Sequence, residues 1–244
     1  MYLKGESPLE IVNANPHLAS IFQRLEINPS IWNKSIEEIG CLVNTPSDFI
    51  VQILIAFDAN NTPNVRCLGK FPIHTILDYL KKTHKYYLNK SIPEMELTLH
   101  DILRKYPSEI SLVSLSTLFL QYKRKLVKHI KDEEDLLFPY IEHLLELFKN
   151  PELNSRLFKN LTDHFSIRTF EESHDEIEEE VVMIKEIIFN LSPKHPIAFS
   201  FRIFLNQLQN FENDLHRHSI IEDSVLIPKS LVFEDIALAY KTMQ

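Results

Sequence analysis

Glycine is nearly absent from this chain, and its scarcity restricts the folds that the chain can form. Only 3 of the 244 residues are glycine, whereas tight β-hairpin turns depend on residues that tolerate positive φ. Long segments instead repeat apolar residues at three- and four-residue steps, as in "LVSLSTLFLQYKRKL" and "FRIFLNQLQNF". This period is typical of amphipathic helices. The sequence therefore predicts an all-α protein.

The first part of the chain carries three signals for the start of a helix. Each signal is a hydroxyl residue followed three residues later by an acid, which is the pattern of a capping box. The pairs are Ser7 with Glu10, Ser35 with Glu38 and Thr45 with Asp48. They predict three short helices in a small N-terminal domain over residues 1–60. The stretch "ANNTPNVRCLGKFP" then combines turn formers with two prolines, which predicts a linker over residues 61–72.

The remaining residues, 73–244, have strong helical periodicity interrupted at a few points. Proline and polar residues cluster near Pro93, Pro107, Pro151 and Pro193. These interruptions predict four long helices connected by short turns, because proline and polar clusters end helices. Long antiparallel helices with short connections form a bundle. We therefore expect a four-helix bundle preceded by the small three-helix domain.

An eleven-residue pattern occurs twice in the predicted bundle. It reads "HIKDEEDLLFP" from His129 and "HSIIEDSVLIP" from His218. In both copies a glutamate, Glu133 or Glu222, follows the histidine by four residues, so the two side chains share one helix face. Two such pairs that project from different helices into one core provide the imidazole and carboxylate ligands of a di-iron centre.

The alternative interpretation is that these pairs are ordinary surface ion pairs. His74 and Asp78 have the same spacing, and i,i+4 pairs of this kind are common on exposed helix faces. The repetition of the whole eleven-residue pattern, with apolar residues on both sides, favours the metal site for the two repeated pairs.

These motifs resemble those of hemerythrin-like proteins, and among them the iron–sulfur-cluster repair family of di-iron proteins. The matching segments are "THKYYLNKSIP", "HIKDEEDLLFP", "SHDEIEEE" and "HSIIEDSVLIP". The resemblance implies a hemerythrin-like bundle that holds an oxo-bridged di-iron centre, with the two glutamates bridging the irons. The implied ligands are His84, His129, Glu133, His174, His218 and Glu222.

Two further residues are candidates for this centre. The family has one more histidine ligand, for which His100 is the best candidate, although it follows His84 by only sixteen residues. Sixteen residues of straight helix rotate by about 160°, so both could face one centre only if the helix bends near Pro93. Glu178 shares the face of His174 and is either a ligand or part of a solvated acidic face.

The N-terminal residues resemble the short domain that precedes the bundle in many family members. That domain typically carries adjacent cysteines, but the corresponding turn here reads "INPSIWNKS". The two cysteines of the chain, Cys41 and Cys67, are separate in sequence. We therefore expect no dithiol chemistry from this domain. Because every predicted ligand follows the linker, a fragment that starts near Phe71 is expected to bind metal.

The resemblance implies repair of iron–sulfur clusters damaged by nitrosative or oxidative stress, through donation of iron. The alternative is a non-enzymatic protein that binds or senses oxygen or nitric oxide. The expected small ligands are oxygen, nitric oxide and peroxide, and the expected macromolecular partners are iron–sulfur proteins and a second copy of the chain. No nucleophile or phosphate-binding motif assigns a catalytic residue.

Composition excludes some partners. A net charge of −8 argues against general nucleic-acid binding, which depends on clustered Lys and Arg. The sequence shows no membrane-spanning segment. The two isolated cysteines and the start "MYLKGESPLE" predict a reduced, cytoplasmic protein.

Overall fold

Helices make up the regular secondary structure in every part of the chain that this computed structural model describes. Those parts are residues 2–58, 64–106, 110–149, 165–172, 183–187 and 199–242. The α-helices are α1 Pro8–Ala14, α2 Ala19–Arg24, α3 Ile36–Leu42, α4 Ser47–Phe57, α5 Val65–Leu68, α6 Ile73–Tyr86, α7 Ile92–Lys105, α8 Ile110–Asp132, α9 Phe138–Lys149, α10 Ile167–Glu172, α11 Phe199–Ile221 and α12 Ile227–Thr242. Residues 183–187 are also helical. The predicted all-α fold class, with short N-terminal helices before long ones, is confirmed.

The first two predicted helix starts form reciprocal capping boxes. At α1 the Ser7 hydroxyl accepts the backbone N–H of Glu10, and the Glu10 carboxylate accepts the backbone N–H of Ser7 at 2.8 Å. Ser35 and Glu38 make the same pair of bonds at α3. These bonds satisfy N–H groups that the first turn of a helix leaves without an intrahelical partner. The backbone hydrogen bonds from Ser7 and Ser35 lower the pKa of the two glutamates.

A helix begins at the third predicted start without the predicted side-chain cap, and the number of short helices differs from the prediction. The Thr45 hydroxyl donates to the carbonyl of Val43 at 3.4 Å, and α4 begins at Ser47 without a side-chain cap. Four α-helices precede residue 59 instead of three. The first predicted helix divides at Asn15, which is extended at φ −142° and ψ 90°. Pro16 causes this break because proline disfavours a helical conformation in the residue before it.

The segment predicted as a linker contains a short helix, α5. The Asn64 side chain accepts the backbone N–H of Cys67 at 3.1 Å, which caps the first turn. At the other end, the Lys229 ammonium group of α12 donates to the carbonyl of Gly69 at 2.6 Å. The residues after Asn64 are therefore held by local and long-range hydrogen bonds.

The chain divides into two compact units, and the first combines three stretches of sequence. It comprises Met1–Tyr86, Tyr140–Arg168 and His216–Gln244. In its core, α2 packs against α6. The ring of Phe49 in α4 also packs edge-on against Tyr79 in α6, with centroids 5.8 Å apart. The N-terminal helices and α6 therefore share one hydrophobic core.

The second unit comprises Tyr87–Pro139 and Thr169–Leu215. Its core contains a set of edge-on aromatic contacts. Phe211 of α11 meets Tyr87 with centroids 5.0 Å apart and Tyr122 of α8 at 6.3 Å. The domain boundary predicted near residue 60 is not tested by this division and stays a prediction.

None of the described helices is by itself long and apolar enough to cross a membrane. Only α3 and α4 taken together reach the required length and composition, and they are bent by 116°.

Candidate metal centre

Three helices that carry predicted histidine ligands widen into a π-helical segment shortly after the histidine. The π segments are Tyr87–Ser91, Glu133–Leu137 and Glu222–Leu226. A proline stands two residues beyond each one, at Pro93, Pro139 and Pro228. Proline lacks an N–H, and its ring clashes with the carbonyl four residues earlier, so the preceding turn of a continuing helix must rearrange. A π turn, with its hydrogen bond to the fifth residue back, accommodates the proline.

This arrangement gives a physical reason for the repeated eleven-residue pattern. In both copies the first residue of the π segment is the glutamate. The N–H of Phe138 donates to the carbonyl of Glu133, and the N–H of Ile227 donates to the carbonyl of Glu222. The proline follows each glutamate by six residues, one position after these donors. The spacing shared by the two copies therefore places each glutamate at the first residue of a π segment. Such segments are frequent at functional sites.

The first compact unit brings His84 of α6 and His218 of α11 together. Their Nε2 atoms are 3.1 Å apart and their ring centroids 4.9 Å apart, although 134 residues separate them in sequence. Each of the two residues is only 2% exposed. Two imidazole nitrogens at this distance share either a proton or a cation, because both cannot present a lone pair without repulsion.

Glu222 adds a carboxylate to this pair. Its Oε2 atom lies 3.6 Å from Nε2 of His218, one helical turn earlier, and the residue is 3% exposed. A carboxylate removed from water is unfavourable unless positive charge or hydrogen bonds compensate for the lost hydration. His84, His218 and Glu222 therefore form a buried His/Glu cluster that is suited to a metal ion.

The second compact unit holds the other repeated pair. His129 Nε2 lies 2.8 Å from the Oε1 atom of Glu133, and the glutamate side chain is fully buried while that of the histidine is 17% exposed. The i,i+4 geometry expected from the sequence is present, and the burial of Glu133 distinguishes this pair from a surface ion pair. His74, whose i,i+4 spacing to Asp78 is the same, is exposed.

The donor set and one distance show that the cluster fits a metal. Imidazole nitrogen and carboxylate oxygen are ligands for iron, zinc and manganese. With metal–nitrogen bonds of about 2.1 Å, two ligands at a right angle on one metal lie about 3.0 Å apart. The observed Nε2–Nε2 distance between His84 and His218 is 3.1 Å. His84 and His218 would therefore hold one ion between their Nε2 atoms with little movement.

The other candidate ligands have different outcomes. His100 is exposed on α7, whereas Leu99 and Ile102 of the same helix are buried. The helix continues through Pro93, and the role of His100 as the further histidine ligand stays a prediction. His174 and Glu178 lie outside the described residues.

Sequence reasoning missed a second buried polar group in the first unit. Glu234 of α12 is 1% exposed, and its Oε1 atom accepts hydrogen bonds from the Tyr140 hydroxyl at 2.8 Å and the backbone N–H of Ile167 at 2.9 Å. Burial is the main cause that raises the pKa of Tyr140, and the hydrogen bond to Glu234 raises it further. The only local signal is an acid at a helical position among apolar residues in "LVFEDIALAY". Its partners are 94 and 67 residues away.

Comparison with known proteins identifies the family of this chain. The Hemerythrin HHE cation binding domain matches residues 75–230. The chain belongs to the hemerythrin family. The match includes both repeated histidine–glutamate pairs and His84, so the buried cluster lies within the matched domain.

Several curated proteins are more distantly similar. The iron-sulfur cluster repair protein YtfE of Salmonella paratyphi B, of Salmonella newport and of Salmonella heidelberg is in each case 24% identical over 164 residues. The alignment covers 67% of this chain and 68% of each relative. The resemblance seen in the sequence motifs is therefore confirmed.

Proposed function

We propose that this hemerythrin-family protein binds two iron ions and donates iron to iron–sulfur clusters damaged by nitrosative or oxidative stress. The observation that carries the proposal is the buried approach of His84 to His218 at 3.1 Å, with Glu222 beside them. The proposal is also supported by the distant similarity to proteins named for iron–sulfur cluster repair. The proposed ligands are His84, His129, Glu133, His174, His218 and Glu222.

The chemistry of these ligands suits iron that must be both held and released. Imidazole and carboxylate ligands accommodate ferrous and ferric iron, without the thiolates that make soft sites. Glu133 and Glu222 are the proposed bridging carboxylates, because each is buried and lies next to a histidine of its own helix. Their burial keeps bulk water away from the donors, so exchange of iron requires movement of the protein or access for a small ligand.

A second function is the binding or sensing of oxygen or nitric oxide without cluster repair. The observation that favours it is the absence of a cysteine pair in the N-terminal helices. Cys41 is exposed and Cys67 is half-buried, and they are 26 residues apart in sequence. Both functions need the same metal ligands, so they differ in whether iron leaves the protein.

Cluster recovery separates these two functions. The reduced, iron-loaded protein would be incubated anaerobically with an iron–sulfur protein whose cluster has been damaged by nitric oxide, and recovery followed by visible absorbance. We expect recovery with the wild type and with His216→Ala, since His216 is exposed. We expect none with His218→Ala.

Two results would contradict the repair function. One is recovery no faster than with free ferrous iron at the same concentration. The other is no recovery from a protein that forms a stable nitric oxide complex, which would support the binding function.

A further inference from the structure

The end of helix α4 contacts, through two arginines, both helices that carry the paired histidines. Its last two residues are Ala56 and Phe57. One arginine, Arg24, belongs to α2, and the other, Arg217, immediately precedes His218 in α11. All of these residues lie within the first compact unit.

Arg24 connects the N-terminal helices to the part of α6 that carries His84. The arginine is 2% exposed, and its guanidinium carbon lies 4.9 Å from the ring centroid of Phe57 and 5.1 Å from that of Tyr86. Its NH1 group donates to the Tyr79 hydroxyl at 3.2 Å. Tyr79 and Tyr86 stand five residues before and two residues after His84. Arg24 therefore contacts α6 on both sides of the histidine in sequence.

The geometry of Arg24 restrains these contacts. Burying a guanidinium is unfavourable unless its charge is compensated, and here aromatic faces and a hydrogen bond supply the compensation. The planar group with its directed donors favours one arrangement of the rings around it. A shift of α6 relative to α4 would separate Arg24 from Tyr86 or from Phe57, so the contact resists such a shift.

Arg217 provides the corresponding contact for the helix of His218. Its NH1 group donates to the carbonyl of Ala56 at 2.9 Å, across 161 residues of sequence. The last carbonyls of a helix carry partial negative charge, which strengthens a hydrogen bond from a cation. The same turn of α4 is thus bonded to the residue before His218 and packed against the arginine that contacts Tyr79 and Tyr86 of α6.

We propose that Arg24 and Arg217 are positioning residues, which act through Ala56 and Phe57 to set the separation of His84 and His218. The N-terminal helices then have a function without a cysteine pair, because they control how tightly the centre holds its metal. This inference rests on the proposed function for the identity of the metal, but the separation of the histidines is a property of the metal-free protein as well. It also changes the expectation for a fragment that starts near Phe71, which would lack both arginine contacts to α4.

The test compares variants of the full chain by two measurements. The first is the 15N chemical shift of the His84 and His218 ring nitrogens in the metal-free protein. The second is the rate at which a chelator removes iron from the loaded protein. We expect Arg217→Gln to change the 15N signals of both rings. We also expect it to increase the rate of iron removal about tenfold, in the range seen when groups that support metal ligands are removed. Arg217→Lys should restore much of the wild-type behaviour.

The control is Lys4→Gln, which removes an exposed ion pair between a residue before α1 and Asp48 of α4 and should change neither measurement. Phe57→Leu preserves an apolar side chain but removes the ring beneath Arg24, and it should shift the His84 signals even if Arg217→Gln fails to fold. Unchanged ring signals in folded Arg217→Gln or in Phe57→Leu would overturn the inference. If the wild type binds no iron, the proposed function fails, while the ring signals still decide whether the arginines position the histidines.

Discussion

Removal of metal should lower the melting temperature of this protein, and the effect should depend on His218. His84 and His218 are buried and within 3.1 Å of each other in the folded chain. They are 134 residues apart in sequence, so the unfolded chain cannot present them together. A metal that binds only the folded state stabilises it by an amount set by its free concentration relative to the dissociation constant.

The size of the effect follows from this linkage. At a free metal concentration about 1,000 times the dissociation constant, the stabilisation is about 4.1 kcal/mol. For a chain of 244 residues, each kcal/mol changes the melting temperature by about 2–4 °C. Chelation should therefore lower the melting temperature of the loaded wild type by about 8–16 °C.

Differential scanning calorimetry of loaded and chelated protein measures this difference. The difference in melting temperature between loaded and chelated protein should nearly vanish in His218→Ala, which lacks one donor of the buried cluster. It should persist in His216→Ala, two residues earlier on the same helix but exposed. An unchanged wild-type melting temperature after chelation, or an equal difference in wild type and His218→Ala, would refute the assignment of the cluster as a metal site.

Three other predictions use different residues. Iron analysis should give two irons per chain, and Glu133→Ala or Glu222→Ala should lose the absorption of the bridged pair; one iron in the wild type would contradict this. Tyr140→Phe should lower the free energy of unfolding by about 1–3 kcal/mol without changing iron content, because it removes a buried hydrogen bond to Glu234, and denaturant unfolding measures the loss. The pKa of Glu10 is lowered by its bonds with Ser7, so its contribution to stability is present above the unfolded pKa and lost as pH falls through the folded value. Thermal melts should therefore show Glu10→Gln less stable than wild type near neutral pH and equal to it in acid.

Local spacing made several features of this protein predictable from sequence. A capping box involves residues three apart, so Ser7 with Glu10 could be identified without knowledge of the fold. The pairing of His129 with Glu133, and of His218 with Glu222, follows equally from the period of a helix. The scarcity of glycine and the three- and four-residue period of apolar residues were enough for the all-α class.

Features that depend on exact helix phase were predicted less well. The pattern before Pro93 did not reveal that the turn widens into a π segment, so the direction of His100 could not be obtained from straight-helix rotation. The break at Asn15 was also missed, because apolar residues keep a helical period on both sides of Pro16. In both cases a proline changes the backbone locally, and whether the helix continues or ends depends on the contacts that the flanking residues make.

The sequence by itself determined the all-α class and the two histidine–glutamate pairs, because residues within one or two helical turns determine these features. Only the tertiary structure decided that His84 meets His218, that Arg24 is buried between aromatic rings, and that Arg217 reaches the end of α4. These contacts join residues from 33 to 161 positions apart. The aromatic rings and hydrogen-bond partners that compensate for these buried charges come from different helices and meet only when the helices have packed together, so no local pattern records the contacts.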